Sequence, residues 1–396
     1  SAAAVLTLPG TAASADATHR ANRVHVHGVD SAFWNLANAK LQFAELPRDS
    51  VVVNRALAEQ LSAKPGDEIL LRIRKVSALS QEISLTPRDG STVAWRVKIH
   101  AIATDQQLGR FSLGANQIAP FNVFVRRDEL QAKAAAPSRA NLALFSVPPY
   151  VSAATLHSKW KLADAELELR ALTNSAAIEL RSPRIFLDAP SVRAALAAQT
   201  NAQPVLTFLV NLVRAGERTT PYSMITAAGA PLVPADMRDD EIILNQWLAD
   251  DLKAAPGGEI SLAYFQPDSG ARLVEATNRF RVRAVVPMQM PWADRTLMPD
   301  FPGIAKAERA GDWDAGFPLT HKIRKEDDDY WAKWRGTPKA FVTLNAGRAM
   351  WGNRFGDTTG VRFQKESGVR SQESGVGIQK SEVGASDAAG RGEIGK

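Results

Sequence analysis

The chain has 396 residues, more than one hydrophobic core comfortably holds, and this length predicts two domains with a connector. Hydrophobic residues make up 45% and charged residues 23%, as in folded globular proteins, and the absence of cysteine excludes disulfides, zinc–thiolate sites and cysteine nucleophiles. The net charge of +6 is spread among interspersed acidic residues without a Lys/Arg run, which argues against a nucleic-acid partner.

The first predicted elements are two strands, AAAVLTL and VHVHGV, separated by the polar connection TAASADATHRANR. No basic segment followed by an apolar one precedes them, and the chain starts at Ser1, so we expect an excised or processed chain without an intact signal peptide. His25 and His27 alternate along the second strand with His19 nearby, and such a pair could share a metal if a third ligand arrived. Solvent-facing strand histidines are commoner, so we predict no metal site.

Residues 51–71 predict a strand, a short helix and another strand. Val51–Val53 are β-branched, Asn54 fits a helix N-cap, and Leu57 and Leu61 lie one turn apart on one helical face. Pro65 and Gly66 end the helix, which is too short to persist alone and must dock on its sheet. We therefore interpret Asn54 as a structural cap rather than a catalytic group.

The same segment recurs without a gap at residues 242–262, where ten positions are identical and Asn245 takes the place of Asn54. Chance alone would give about one or two identities over such a window. Further matches follow in the same order: Val5–Thr7 with Val205–Thr207, Arg96-Val97 with Arg281-Val282, and Phe124-Val125 with Phe341-Val342. A duplicated scaffold that carries no catalytic signature predicts a structural or binding role.

The alternation of strand and helix patterns predicts an α+β protein with mixed sheets and short docked helices. We assign residues 1–150 to the first copy, 151–200 to an ordered connector and 201–363 to the second copy. The connector combines a helical SAATLHSKW, extended ELELRAL and AAIELRSPRIFL, and a helix that starts at Asp188. The longest apolar stretch, Val205–Val213, is about half the length needed to cross a bilayer.

The last segment, residues 364–396, differs in composition from the rest of the chain. It contains no Leu, Met, Phe, Trp or Tyr and repeats ESGV, so we predict a disordered low-complexity tail. Gly390, Gly395 and Lys396 match the opening of a phosphate-binding loop. The chain ends before the required Ser/Thr and no strand precedes the match, which we therefore interpret as coincidence.

The second copy carries an insertion, residues 289–338, between two strands that a much shorter connection joins in the first copy. Its acidic run Glu326–Asp329 could bind a cation, but the following Trp331 and Trp334 favour an ordinary docked helix. The insertion is rich in aromatic residues, which could form either a recognition surface or a satellite core beneath the loop. They are Trp292, Phe301, Trp313, Phe317, Tyr330, Trp331 and Trp334.

Several stretches resemble the extracytoplasmic core domain of MacB-like and FtsX-like ABC transporter permeases over about residues 20–363. In the first copy these are VHVHGVDSAFW, DSVVVNRALAEQLSAKPGDEILLRI, NVFVRRDELQ and RANLALF. The second copy is similar to a large-domain branch of that family through RAGERTTPYSM, DDEIILNQWLADDL, ADRTLMPDFPG and GTPKAFVTLNAGRAMWGNRFGD.

The resemblance implies a periplasmic part of an inner-membrane permease that moves when a separate cytoplasmic subunit hydrolyses ATP. It implies no catalytic, cofactor-binding or metal-binding residues in this domain, and its partners would include a lipoprotein, a periplasmic adaptor or a cell-wall enzyme. Two alternatives remain open, a periplasmic hydrolase that uses acidic residues and a stand-alone envelope binding module. The cargo and the direction of transport have no signature in these residues.

Overall fold

The computed structural model describes residues 2–36, 46–76, 92–114, 118–146, 153–172, 177–268, 272–314 and 319–364. The protein is α+β, with 22% helix and 41% strand, and two mixed sheets each form a six-stranded barrel-like arrangement. These are two similar subdomains, which we call the first unit and the second unit. Except for Gln364, the predicted disordered tail, residues 364–396, falls outside the described residues.

The described part of the first unit is a seven-stranded sheet with three short α-helices. Its strands are β1 (Ala2–Ser14), β2 (Arg20–Val29), β3 (Ser50–Asn54), β4 (Glu68–Arg74), β5 (Thr92–Ala103), β6 (Phe121–Arg126) and β7 (Leu142–Phe145). Its helices are α1 (Ser31–Trp34), α2 (Arg55–Leu61) and α3 (Arg127–Lys133). The strand order is β2-β6-β3-β5-β4-β1-β7, and a further β1–β2 pairing closes the first six strands.

The predicted connector contains α4 (Ala153–Lys159), β8 (Glu168–Ala171), β9 (Ala177–Arg181) and α5 (Ala189–Ala198). The helix α5 starts where predicted, since the Asp188 side chain accepts a hydrogen bond from the Ser191 amide. The strands β8 and β9 pair antiparallel, and we call them the connector hairpin.

The second unit adds seven strands and three α-helices in the ranges that the structure describes. The strands are β10 (Gln203–Ala215), β11 (Arg218–Ala228), β12 (Glu241–Asn245), β13 (Glu259–Pro267), β14 (Leu273–Val286), β15 (Ala340–Thr343) and β16 (Gly360–Gln364). The helices are α6 (Gln246–Leu252), α7 (Lys325–Trp334) and α8 (Leu344–Trp351). The strand order is β11-β15-β12-β14-β13-β10-β16-β9-β8, so the connector hairpin belongs to this sheet.

The two sheets repeat each other strand by strand until the connector hairpin. In both, the third strand pairs parallel with the fifth, and the register slips by one residue at matching places, between Val51 and Val52 and between Ile242 and Ile243. A slip of this kind marks a β-bulge, which bends a strand locally. Because the irregularity recurs at aligned residues, the repeat extends to the backbone geometry.

The structure corrects one predicted correspondence. Val51 pairs with Ile99, whereas Ile242 pairs with Val282, so Val282 matches Ile99 and not Val97. Side chains alternate between the faces of a strand with a period of two, so a shift by two residues keeps the same pattern of faces. The Arg-Val dipeptide that β5 and β14 share therefore led to a sequence alignment of these two strands that is wrong by two residues.

The predicted role of the two asparagines is confirmed. Asn54 Oδ1 accepts a hydrogen bond from the Leu57 amide at 3.1 Å, and Asn245 Oδ1 accepts one from the Leu248 amide at 2.8 Å. Each side chain also donates to the carbonyl that precedes the sixth strand, of Pro120 in one unit and of Pro338 in the other. The asparagine thus ties the helix to the sheet in both units.

The opening hairpin of the first unit is longer than predicted. β1 continues through Ser14, and only residues 15–19 separate it from β2. Ala12, Ala13 and Ala21 in the added part are buried. Alanine and glycine have low strand propensity, so this part of the strand depends on tertiary packing rather than on local preference.

In both units the second strand packs closely against the last helix, α3 or α8. The glycine that allows this close packing lies on the strand in the first unit and on the helix in the second. Gly28 on β2 lies against Leu130 on α3, where a Cβ at position 28 would come within 3.0 Å of Leu130 Cδ2. In the second unit the strand carries Ala227 and the helix carries Gly347, where a Cβ would lie 2.1 Å from Ala227 Cβ. In each unit a glycine on one side makes room for the larger side chain opposite.

We expect Gly347→Ala to lower the free energy of unfolding by about 1–3 kcal/mol, because overpacking forces the strand and the helix apart. Adding Ala227→Gly should recover most of this loss, although a strand glycine itself costs roughly 0.5–1 kcal/mol. Urea unfolding of both single variants and the double variant measures the coupling. A double variant that is no more stable than Gly347→Ala alone would contradict this packing.

Candidate functional site

The candidate site lies where the second unit departs from the repeat, because function concentrates in elements added to a shared scaffold. Two such additions are the connector hairpin and the insertion. The connection between β14 and β15 runs from residue 287 to 339, whereas the matching connection between β5 and β6 runs from 104 to 120. Outside residues 315–318, which the structure does not describe, the insertion contains two short 3-10 turns, Arg295–Leu297 and Ala310–Asp312, and the helix α7.

Three aromatic residues of the insertion belong to the main core of the second unit. Phe301, Trp313 and Trp331 are 1%, 8% and 4% exposed and belong to the main hydrophobic cluster of the second unit. Trp331 Nε1 donates a hydrogen bond to the Ala307 carbonyl at 2.9 Å, so its polar edge is satisfied inside the insertion. Of the two alternatives, the structure therefore shows a satellite core continuous with the sheet. Phe317 falls outside the described ranges.

The acidic run at the start of α7 also serves packing. Asp327 is buried and lies 2.8 Å from Arg324 Nε and 3.6 Å from Lys339 Nζ. No group of three or more His, Asp or Glu residues suited to a metal occurs within the ranges that the structure describes. Because Asp327 and Trp331 are buried and Asp327 pairs with Arg324, α7 is docked on the second unit as predicted.

The histidines of β2 have separate environments. His27 is buried, with Nδ1 3.0 Å from Thr7 Oγ1 and Nε2 3.3 Å from Asn122 Oδ1, whereas His25 is exposed. Burial lowers the pKa of His27 to about 4, so this imidazole is neutral at pH 7. In the second unit Thr207 and Thr226 make the matching buried contact at 2.7 Å. His27 therefore occupies a structural position of the repeat.

Lys339 lies at the base of the insertion, immediately before β15, and is almost fully buried. Its Nζ lies 4.4 Å from the centre of the Trp247 ring and 4.9 Å from that of Tyr330, which are favourable cation–π distances. Burial lowers the pKa of Lys339 to about 8, and the nearby Asp327 partly opposes this effect. The adjoining cavity has a volume of about 20 Å³, which holds a single water rather than a substrate.

Lys339 should make stability depend on pH. Between pH 8 and about 10 the unfolded chain binds a proton that folded Lys339 has released, so the free energy of unfolding rises with pH. The contribution reaches at most about 1.4 kcal/mol per pH unit. Urea unfolding of wild type and Lys339→Met from pH 7.5 to 9.5 should show the smaller slope in the variant. Identical slopes would contradict the lowered pKa.

The Lys339→Met change isolates this effect because Asp327 keeps its contact with Arg324. Arg324 also reaches Asp251 on α6, with Nη2 and Oδ2 2.8 Å apart. The insertion is therefore joined to the repeat by an ion-pair network that the variant leaves in place.

A second buried cluster joins the insertion to the connector hairpin through Arg362 on β16. Its Nε donates to Glu179 on β9 at 2.8 Å, and its Nη1 donates to Asp294 in the insertion at 2.7 Å. Its Nη2 lies 3.0 Å from Thr296 Oγ1, and all three charged groups are buried. One guanidinium thus connects the sheet to both additions of the second unit.

Beside Arg362 lies a cleft of about 310 Å³ between the connector hairpin and the insertion. We call it the connector–insertion cleft, and its walls include Glu168, Glu179, Arg181, Asp300 and Thr359. Arg181 Nη1 donates to Asp300 at 2.6 Å and Nε to Glu168. Burial alone would lower the pKa of Arg181, but its hydrogen bonds to these carboxylates raise it. The guanidinium is therefore permanently charged and bridges the two walls.

Sequence patterns gave no indication of these clusters. Arg362, Glu179 and Asp294 are far apart in the chain, and each stands among residues typical of an ordinary strand or loop. Only the pairing of β16 with β9 brings Arg362 opposite Glu179. The sequence signal that could have found the pair is the opposite charge of residues on adjacent strands, which requires the strand order first.

No helix among the described ranges is both long and apolar enough to cross a membrane. A comparison with protein-family models finds no match, and a comparison with curated proteins finds no similar sequence.

Proposed function

We propose that the chain is the extracytoplasmic part of a MacB-like or FtsX-like ABC transporter permease, and that it transmits movement rather than carrying out chemistry. Energy would come from ATP hydrolysed by a cytoplasmic subunit, and the chain would pass a rigid-body displacement to a periplasmic partner. The partner would be a lipoprotein, an adaptor or a cell-wall enzyme. The protein would lie on the periplasmic side of the inner membrane and would not be an enzyme.

The single observation that carries this proposal is the buried attachment of both additions to the duplicated scaffold. Arg362 binds Glu179 and Asp294 at 2.8 and 2.7 Å, and Arg324 and Lys339 hold the far end of the insertion. Charges buried in pairs are costly to separate, so they oppose independent motion of the parts that they join. A unit fastened in this way suits transmission of a displacement.

The resemblance supports the same proposal from the residues. The segments that carry it include the strand–helix–strand of the first unit, residues 49–73, the strand and helix of the second unit, residues 239–252, and the insertion stretch ADRTLMPDFPG. That stretch contains Asp294 and Asp300, which face Arg362 and Arg181. The most specific part of the resemblance thus includes the residues that fasten the insertion.

A stand-alone binding module is the second candidate, because the connector–insertion cleft of about 310 Å³ reaches the lower limit of ligand pockets. Its walls carry three carboxylates and a guanidinium that suit a small polar or zwitterionic solute. In this case the cleft, rather than the whole scaffold, would perform the function.

The gene that encodes this chain provides the test. The proposal expects apolar segments of about twenty residues flanking the chain and a neighbouring ATPase gene. Alkaline phosphatase inserted in the exposed β10–β11 turn at Glu217 of the full-length protein should be active, because that enzyme folds only outside the cytoplasm. A cleaved leader and release of the protein in soluble form would favour the stand-alone module, and an inactive, cytoplasmic fusion would contradict both.

A further inference from the structure

Within the described ranges, the outer edge of the first sheet has no neighbouring strand, whereas the second sheet is covered at the matching place. Among the residues that the structure describes, β7 pairs only with β1, whereas its counterpart β16 lies between β10 and β9. The match between β7 and β16 is set by hydrogen bonds. Asn141 N donates to Val5 O and Thr359 N donates to Val205 O, at 3.1 and 2.8 Å.

The pairing registers extend this match along both strands. Val5 pairs with Leu142, and Val205 pairs with Gly360. Counting three residues onward from each aligns Phe145 with Phe363. Phe363 is half-buried and packs against a hydrophobic cluster to which β9 and α5 contribute residues. Phe145, in contrast, is 46% exposed. The same aromatic residue is thus sheltered in one unit and left open in the other.

The chemistry of the two outermost strands also differs. β8, the edge of the second sheet, has the sequence ELRA, and its Glu168 and Arg170 discourage pairing with other chains. β7 has the sequence LALF, without a charge or a proline. Natural proteins protect free edges with such residues, so an unprotected apolar edge indicates a strand meant to be covered.

We infer that β7 binds an extended apolar segment of a partner polypeptide, which adds antiparallel to the first sheet as β9 adds to β16. The second unit supplies the register, since Phe363 faces Ile178, Arg362 faces Glu179 and Val361 faces Leu180. Transferred to β7, these positions are Phe145, Leu144 and Ala143. The partner residue opposite Leu144 must be apolar, because no arginine is present there to pair with a carboxylate.

A peptide fits this edge better than a second copy of the chain. β7 has only four residues, and pairing over that length buries far less than the roughly 1,200 Å² at which stable protein interfaces begin. Strand addition by a short segment obtains its affinity from main-chain hydrogen bonds and its specificity from alternate side chains. A small, uncharged edge therefore suits a peptide partner.

The probe is a synthetic peptide of residues 175–182 with Glu179 replaced by valine (E179V), added to the full chain. It should bind and slow hydrogen exchange of β7 amides, and the unmodified peptide should bind at least about tenfold more weakly, since its carboxylate would lie opposite Leu144 without a partner. A peptide that also carries Leu180→Pro should not bind, because proline removes a ladder donor.

Protein variants locate the contact. Phe145→Lys should weaken binding of the E179V peptide at least about tenfold while leaving the thermal midpoint unchanged, because the side chain is exposed and its charge protects the edge. The matched control is Leu169→Lys on β8, which alters a similarly exposed edge residue and should leave binding unchanged. Equal effects of the two variants would overturn the assignment to β7.

Two further outcomes would also overturn the inference. Sedimentation showing a dimer that Phe145→Lys dissociates would make a second copy the occupant. Strong protection of every β7 amide in the free monomer would mean that another segment of the same chain covers the edge. The inference deepens the proposed function by naming the class of partner, but it needs no membrane or nucleotide, so either can fail without the other.

Discussion

Replacing Trp331 with alanine is expected to lower the free energy of unfolding by about 3–5 kcal/mol, because a large buried aromatic side chain leaves a cavity that its surroundings fill only partly. Trp331 packs edge-on against Trp313, with ring centres 4.9 Å apart, and covers the main core of the second unit. Urea unfolding followed by circular dichroism measures the loss.

The matched control is Trp334→Ala in the same helix, at a half-buried position, and we expect a clearly smaller loss. If both variants keep wild-type stability, the insertion is not part of the core and its rings are available for recognition. Removal of residues 292–335 extends the test, since the satellite core predicts an unfolded second unit and a recognition loop predicts a folded one.

Replacing Arg362 with methionine is expected to lower the free energy of unfolding by about 3–5 kcal/mol, because the change leaves two buried carboxylates without their shared partner. Glu179 is 5% exposed and Asp294 3% exposed, so water cannot readily replace the guanidinium. Glu179 retains a contact with Arg170 at 3.0 Å, so Asp294 is expected to carry more of the cost.

The triple variant Arg362→Met, Glu179→Gln, Asp294→Asn distinguishes two contributions to this loss of stability. One is the loss of the ion pairs, and the other is the cost of burying carboxylates that have no partner. The triple variant should be more stable than Arg362→Met alone, because neutral amides are less costly to bury than unpaired carboxylates. The matched control is Arg238→Met, which removes an exposed ion pair with Asp240 and should change stability by about 0–1 kcal/mol. If Arg362→Met and Arg238→Met lowered the free energy of unfolding by similar amounts, the buried cluster would not hold the insertion and the connector hairpin to the sheet.

The sequence was sufficient for the architecture because local signals and the repeat agree. Asn54 and Asn245 cap equivalent helices, and Leu57 and Leu248 are both buried beneath them. Helix capping, the apolar face of a helix and strand composition all depend on residues that are close in the chain. Because the segment is duplicated, each of these signals occurs in two copies of the sequence. The prediction of an α+β protein with two related subdomains therefore follows from short-range chemistry.

The sequence was insufficient where long-range pairing decides the outcome. The false match of Val97 with Val282 arose because strand patterns repeat every second residue. The aromatic insertion presented the same ambiguity, since composition is the same whether Trp313 and Trp331 point inward or outward. Only the packing of the insertion on the sheet distinguishes a core from a surface.

The sequence did not reveal the buried charged residues that join the insertion and the connector hairpin to the sheet, for the same reason. Arg362 reaches Glu179 across adjacent strands and Asp294 across a loop, and the three residues share no local pattern. Lys339 stands next to β15 and resembles a solvated strand-flanking lysine until Trp247 and Tyr330 surround it. Buried charges of this kind are properties of the tertiary structure.

Distance measurements between paired spin labels test the central claim most directly, and these 396 residues contain no cysteine that would compete for a label. In the proposed permease with its proposed ATP-hydrolysing subunit, one pair would join Arg193 on α5 to Glu326 on α7, both exposed. A second pair would join Glu217 to the membrane segment. We predict that ATP trapping changes the distance from Glu217 to the membrane segment and leaves the Arg193–Glu326 distance unchanged. A changed Arg193–Glu326 distance together with an unchanged distance to the membrane segment would contradict a second unit that moves as one rigid body.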